Sequence, residues 1–193
     1  MPERIYNHIN HMIEAVKELD NISEEQMTET VEIFRQRPRV IFCGMGKPAF
    51  AINKVVFTAQ SFGLDWYSMD VTHAFHGDAG IIHRGDLLVF VSKSGETSET
   101  IDVANYFWEW DKLSITSTDG STLDRICKHN LYIPLITGEG SPFEHAPMAS
   151  TTLYMIVMHG ILCDIVEYTG CTIQQYAFNH PAGKIGEDLA DEI

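Results

Sequence analysis

The feature that most constrains this chain is a change of period at Pro38. Beyond it, short and nearly continuous apolar runs alternate with segments of helical spacing. The runs are Arg39 to Cys43, Asp65 to Met69, Leu87 to Val91, Leu113 to Thr116 and Asn130 to Leu135. The helical segments are Lys47 to Phe62, Thr97 to Trp108, Ser121 to Lys128 and Ala149 to Tyr168. A strand polar on one side alternates with period two, whereas one apolar throughout must be covered on both faces. Strand and helix in alternation therefore predict an α/β fold, a doubly wound five-stranded parallel sheet with right-handed crossovers and helices on both sides. Gly170 closes the last long helix as its C′ residue.

The first 37 residues read as two helices. Ile5, Ile9, Met12, Ile13, Val16 and Leu19 give the first its helical spacing, and Ser23-Glu24-Glu25-Gln26 opens the second as a capping box, with Ile22 and Met27 as a hydrophobic staple. Nothing marks a linker or a repeat. The expected organisation is one domain over 1–193: a helical segment 1–37, an α/β core 38–186 and a solvated acidic tail 187–193. A hydrophobic content of 45% suits a folded chain rather than a disordered one. Thirteen basic against 27 acidic residues leave a formal net charge of −14, which argues against nucleic acid and anionic membrane surfaces as partners. The polar start at Met1 lacks a signal peptide's apolar run, and His159 and Asp164 interrupt the stretch from Leu153 to Val166. Cys43, Cys127, Cys163 and Cys171 show no Cys-x-x-Cys spacing and read as reduced, buried thiols. Together these lead to a cytoplasmic expectation.

Open parallel sheets bind ligands beyond the carboxyl ends of their strands, so the loops there carry the function. After the first strand comes Gly44-Met45-Gly46-Lys47-Pro48-Ala49, which fits the G-x-G-x-x-A form of a dinucleotide fingerprint, with Asp70 as the candidate ribose acid. After the third comes Ser92-Lys93-Ser94-Gly95-Glu96-Thr97-Ser98-Glu99. Hydroxyls beside the free amides of a starting helix make a phosphate cradle that needs little formal charge. Ser92, Ser94, Gly95 and Thr97, with Gly46 opposite, are the expected phosphate-binding residues. His73, His76, Asp78 and His83 form the nearest thing to a metal cluster, but their spacing is no dense ligand motif, and no metal or other cofactor is expected.

The hydroxyl loop after a buried strand, together with the earlier glycine turn, resembles the sugar isomerase (SIS) superfamily that binds phosphosugars. From about Val40 to Gly186 the order of motifs is similar to that of the D-arabinose 5-phosphate isomerases. These are Gly44-Met45-Gly46-Lys47, His76-Gly77-Asp78, Arg84-Gly85-Asp86, Ala146-Pro147 before Ser150-Thr151-Thr152, and Asn179-His180-Pro181-x-Gly183. The resemblance implies cofactor-free interconversion of D-ribulose 5-phosphate and D-arabinose 5-phosphate, feeding synthesis of the lipopolysaccharide and capsule sugar Kdo, in a homotetramer. It carries over Lys47, His76, Glu99, Glu139 and His180 as the catalytic set. Glu139 is then the base at C2 and C1, Lys47 a cation for the enediolate or phosphate, Glu99 an orienting group, and His180 the imidazole that opens the sugar ring.

Family members commonly carry two CBS modules after the SIS domain, and this chain stops at Ile193, so a lone catalytic-type domain is expected. Departures at Pro48-Ala49, at Ser141 to His145 and at Ala182 bear on substrate range. Three rivals stand beside this reading: a non-catalytic phosphosugar-binding module, a 6-phospho-3-hexuloisomerase, and a dinucleotide enzyme.

Overall fold

The computed structural model describes residues 2–192, so Met1 and Ile193, the ends of the expected domain, lie outside the described residues. Two helices, α1 (Pro2–Lys17) and α2 (Glu24–Gln36), precede the first strand. The α/β part then runs β1 (Arg39–Gly44), α3 (Gly46–Ser61), β2 (Asp65–Asp70), α4 (Val71–Ala74), β3 (Leu87–Val91), α5 (Ser98–Tyr106), β4 (Asp111–Thr116), α6 (Thr122–Ile126), β5 (His129–Tyr132) and α7 (Ala149–Thr169). All strand pairings are parallel and the order is β2-β1-β3-β4-β5. Gly170 adopts a left-handed conformation, φ 69°, and ends α7.

Side chains alternate along each buried strand and feed two cores. On one face Val40, Phe42, Leu87, Val89, Leu113 and Ile115 pack with α3, α7 and Phe34 of α2. On the other, Ile41, Cys43, Leu88 and Phe90 meet residues of α4, α5 and α6. The 21-residue α7 is apolar and long enough to span a membrane. Its bounds match the expected Ala149 to Tyr168 to within one residue, and Leu153, Tyr154, Val157, Met158 and Ile161 are buried in the sheet's core.

Several boundaries differ from expectation for local reasons. The fifth strand stops at Tyr132 rather than Leu135, because Pro134 has no amide for a ladder. The helix after β3 ends at Tyr106 instead of Trp108, and α6 begins after Ser121 because that residue and Asp124 form a reciprocal capping box. Ser23 caps α2 from one side only: its hydroxyl accepts the Gln26 amide at 3.3 Å. In α1 the inward residues are Met12 and Ala15, whereas Ile5, Ile9 and Ile13 are exposed. Of the cysteines, Cys43 and Cys127 are buried, but Cys163 is exposed and Cys171 half-buried.

The acidic tail is not a loose terminus. After α7 come α8 (Ile173–Phe178), α9 (Gly183–Asp188) and a 3-10 turn at Ala190–Glu192, where the Gln174 side-chain amide donates to the Glu192 carboxylate at 3.0 Å.

Trp66 anchors the sheet edge where β2 meets α2. It is 2% exposed, with ring centroids 5.1 Å from Phe34 and 5.3 Å from Phe42. Trp66→Ala should destabilise the chain by about 3–5 kcal/mol, read as a lowered urea midpoint by circular dichroism. A loss under roughly 1 kcal/mol would show that this aromatic cluster is not part of the tight core.

Candidate functional site

With strand order 2-1-3-4-5, the chain leaves β1 and β3 in opposite directions, and the loops after these neighbouring strands part to form a crevice. A cavity of about 220 Å³ opens there, lined by Gly46, Lys47, Ser92, Lys93, Ser94, Thr97 and Thr100 among others. Thus Gly46, Lys47, Ser92, Ser94 and Thr97 meet as the sequence predicts. A larger, more open cleft of about 590 Å³ lies between Arg37, Arg84, Trp108 and Trp110. It sits by the amino ends of β3 and β4, away from the loops where ligands bind in such sheets.

The hydroxyl loop is ordered by its own hydrogen bonds. The Ser92 hydroxyl accepts the Gly95 amide at 3.2 Å and lies 3.0 Å from the Thr97 hydroxyl, and Ser94 accepts the Glu96 amide at 3.2 Å. Thr97 occupies the N-cap of α5 without capping it through its side chain, which leaves the helix's first amides open to an anion. Gly95 has φ 64°, and a Cβ there would lie 2.1 Å from the Ser121 hydroxyl. Only glycine satisfies both the turn and that close approach. One turn into α5, the Thr100 hydroxyl is buried with no partner.

Glu139 is wholly buried rather than solvated. One carboxylate oxygen accepts from the Lys93 ammonium and the Ser150 hydroxyl, each at 2.7 Å; the other accepts the amides of Met148 at 2.8 Å and Ser150 at 3.1 Å. Burial pushes this carboxyl's pKa up, but Lys93, the Ser150 hydroxyl and the two amides outweigh it and hold the group below the usual carboxylate range. Every lone-pair direction is occupied, so the carboxylate caps the start of α7 as an anion. The expected role of Glu139 as the base therefore requires that Lys93 first leave it, because with all four donors in place the carboxylate has no free direction for a proton. Lys93, half-exposed in the cradle, is a candidate site residue that the sequence does not single out, although it stands inside the hydroxyl motif.

The other expected residues lie apart from this cluster. Glu99 is exposed in the first turn of α5, accepting from the Ser98 hydroxyl at 2.9 Å, and its own backbone amide and Ser98 hold its pKa below the usual range. His76 is exposed after α4. His180 donates from Nδ1 to the Tyr176 carbonyl at 2.7 Å, and its ring lies 4.2 Å from that of Tyr176, which packs on Phe62. Phe62 caps the end of α3, whereas Lys47 lies in its first turn; fifteen residues at 1.5 Å put the two roughly 23 Å apart. His180 therefore cannot serve the cradle of its own chain. Asp70 is occupied as the N-cap of α4, accepting the Thr72 amide at 2.9 Å, and is not a free ribose acid. Among the described residues, no group of three or more His, Cys, Asp or Glu is placed to hold a metal ion; His73 and Asp78 approach only to 3.9 Å.

A doubly wound sheet with a hydroxyl-rich loop at its switch point defines the class as an open α/β domain with a candidate anion site. The SIS domain family matches residues 32–162, and the chain belongs to that family. Among curated relatives, the arabinose 5-phosphate isomerase KdsD of Francisella tularensis (strain SCHU S4) is 30% identical over 183 residues, 92% of this chain and 56% of that protein. The arabinose 5-phosphate isomerase KpsF of Escherichia coli O6:H1 is 29% identical over 163 residues, 83% of this chain and 50% of its own length. The chain thus spans about half the length of the curated relatives it matches. In structure it is similar to the c3406 protein of E. coli CFT073, solved in complex with arabinose 5-phosphate, with a TM-score of 0.86 and 24% identity over 92% of this chain and 95% of that one. That likeness establishes the shared fold.

The lowered pKa of Glu139 fixes a direction for stability. Because its folded value lies below the unfolded value of about 4.3, the stabilisation is fully present above that pH and is lost as pH falls through the folded pKa. Glu139→Gln should therefore be less stable than wild type at pH 7, with the gap narrowing at about pH 3.5 in urea titrations. A gap that widens in acid would show that Glu139 is not held as an anion.

Proposed function

We propose that this chain interconverts an aldose and a ketose phosphosugar, D-arabinose 5-phosphate and D-ribulose 5-phosphate, through an enediolate. The observation that carries the reading is the Lys93–Glu139 pair, with Lys93 in the wall of the hydroxyl cradle and Glu139 buried in contact with it, because the pair joins a candidate anion site to a carboxylate of the right kind for proton abstraction. The names of the curated relatives support the same substrate class.

In this mechanism Ser92, Ser94, Thr97 and the first amides of α5 bind the phosphate, which leaves the sugar's carbonyl end toward Lys47 and Lys93. The bound anion draws Lys93 off Glu139. The carboxylate then loses one charged donor in a buried setting, its basicity rises, and it takes the proton from C2 of the aldose or C1 of the ketose. The electron pair moves onto the carbonyl oxygen, where Lys47 or Lys93 stabilises the developing negative charge. From the aldose, the O2 hydroxyl proton passes to O1 and the abstracted proton returns to C1, giving the ketose; the ketose reacts by the reverse path, with the proton passing from O1 to O2 and the carbon proton returning to C2. Substrate binding thereby arms a base that is quenched in the free protein.

His180, too far from its own cradle, acts in a neighbouring copy's cradle within a homo-oligomer, the tetramer of the family resemblance, and there opens the furanose ring. Glu99 and His76, exposed near the same end of the sheet, complete that shared site. The setting is cytoplasmic and the product supplies the making of the lipopolysaccharide and capsule sugar Kdo.

Incubation with D-ribulose 5-phosphate in deuterated water, followed by NMR, tests the reaction. The expected result is D-arabinose 5-phosphate deuterated at C2. Tight binding without conversion or deuterium uptake would favour the non-catalytic module, a reading to which the full engagement of Glu139 lends weight. Ser94→Ala should weaken sugar phosphate binding about ten- to a hundredfold, the loss of one ~1.5–3 kcal/mol hydrogen bond to a charged group, measured by calorimetry. Unchanged affinity would put the anion elsewhere.

A further inference from the structure

Glu139 stands between two glycines in the left-handed region, Gly138 at φ 79° and Gly140 at φ 65°. A Gly-x-Gly segment has little conformational preference of its own, yet the carboxylate must meet two amides, a hydroxyl and an ammonium at hydrogen-bonding distance. Its order comes from side chains that reach in from outside. The Glu18 carboxylate, just beyond α1, accepts the amides of Ile136 and Thr137, the latter at 2.7 Å. Glu144 accepts the Glu139 amide at 3.0 Å and the Gly140 amide at 3.1 Å. The two carbonyls that flank Glu139 are met by histidines of α1: His11 Nε2 lies 3.1 Å from the Gly138 oxygen, and His8 Nδ1 lies 3.1 Å from the Gly140 oxygen.

A carbonyl only accepts, so both ring nitrogens must carry protons, which assigns His11 as the Nε2–H form and His8 as the Nδ1–H form at these contacts. The His11 ring also lies flush against Gly140, where a Cβ would come within 2.2 Å of it. Residues 8 and 11 are one helical turn apart and share a face, which accounts for two histidines on the inner side of a helix whose outer side carries Ile5, Ile9 and Ile13.

We infer that His8 and His11 are positioning residues: they hold the backbone on either side of Glu139 and so keep its carboxylate over the start of α7 and beside Lys93. They act through the loop and do not touch substrate. Their consequence for turnover rests on the isomerase reading above, whereas their consequence for Glu139 does not.

The amides of Met148 and Ser150 report on this directly, since both donate to Glu139. Their hydrogen exchange, followed by NMR, should be at least about tenfold faster in the His8→Ala/His11→Ala double variant, with amides of β1 and β3 exchanging at wild-type rates. His8→Asn/His11→Gln supplies a side-chain N–H in similar positions and should recover most of the protection. In the same variants kcat for ribulose 5-phosphate should fall and recover in parallel, with KM within about twofold of wild type. Wild-type exchange at Met148 and Ser150 in the double alanine variant would overturn the inference. So would an acceleration that spreads equally to β1 and β3, or a conservative pair no better than alanine. If the double alanine variant does not fold, the single pair His11→Ala and His11→Gln carries the same comparison. A wild-type protein without isomerase activity would sink the isomerase reading alone, and the exchange rates would still decide the positioning role.

Discussion

The ion pair between Lys93 and Glu139 is the contact on which the site's architecture depends. A carboxylate with no exposed surface is tolerable only when it is paired and its remaining lone pairs are filled. Here one partner comes from the loop after β3 and the others from the first residues of α7, so the pair ties the hydroxyl loop to the longest helix of the fold. The anion also sits where the positive end of α7's dipole is strongest. The same helix covers one face of the sheet with Leu153, Tyr154, Val157 and Ile161, so the placement of one charge bears on both the core and the cradle. In the free protein Lys93 therefore both lines the cradle and pairs with the buried carboxylate.

The sheet order explains why the cradle is where it is. Because β1 and β3 are neighbours whose connections leave toward opposite faces, the Gly46–Lys47 turn and the hydroxyl loop face each other across the switch point. The tail runs the other way. It packs Tyr176 on Phe62 at the far end of α3, and His180 goes with it. Within one chain His180 and the cradle thus lie toward opposite ends of α3.

The sheet was legible in the sequence because its strands are covered on both sides: runs such as Leu87 to Val91 admit no other economical reading. The cradle was legible for a similar reason, since small hydroxyl residues at a strand-to-helix junction have few alternatives to capping or anion binding. What escaped were features made by distant residues. Nothing near Glu139 announces its burial, which depends on Lys93 from the loop after β3 and on Ser150 at the start of α7; the flanking glycines and the Ser150-Thr151-Thr152 helix start were the available signals. Nothing in the sequence singles out His8 and His11, because their partners are backbone carbonyls, which leave no trace in side-chain patterns. The helical tail was missed because its turns are short and polar and are held by contacts such as Gln174 with Glu192. The grouping of His180 with Lys47 came from family resemblance, and motif order along a chain carries no information about how far apart two residues stand in the fold.

A double-mutant cycle on Lys93 and Glu139 tests the central claim most directly. Urea unfolding free energies at neutral pH would be compared for wild type, Lys93→Met, Glu139→Gln and the double variant. The account predicts that Lys93→Met alone is costly, because it strands a buried carboxylate, and that Glu139→Gln relieves much of that cost, giving a coupling of about 1–3 kcal/mol. Effects additive to within about 0.5 kcal/mol would contradict it, because they would mean that the two charges do not depend on each other and that the loops they join are held by something else.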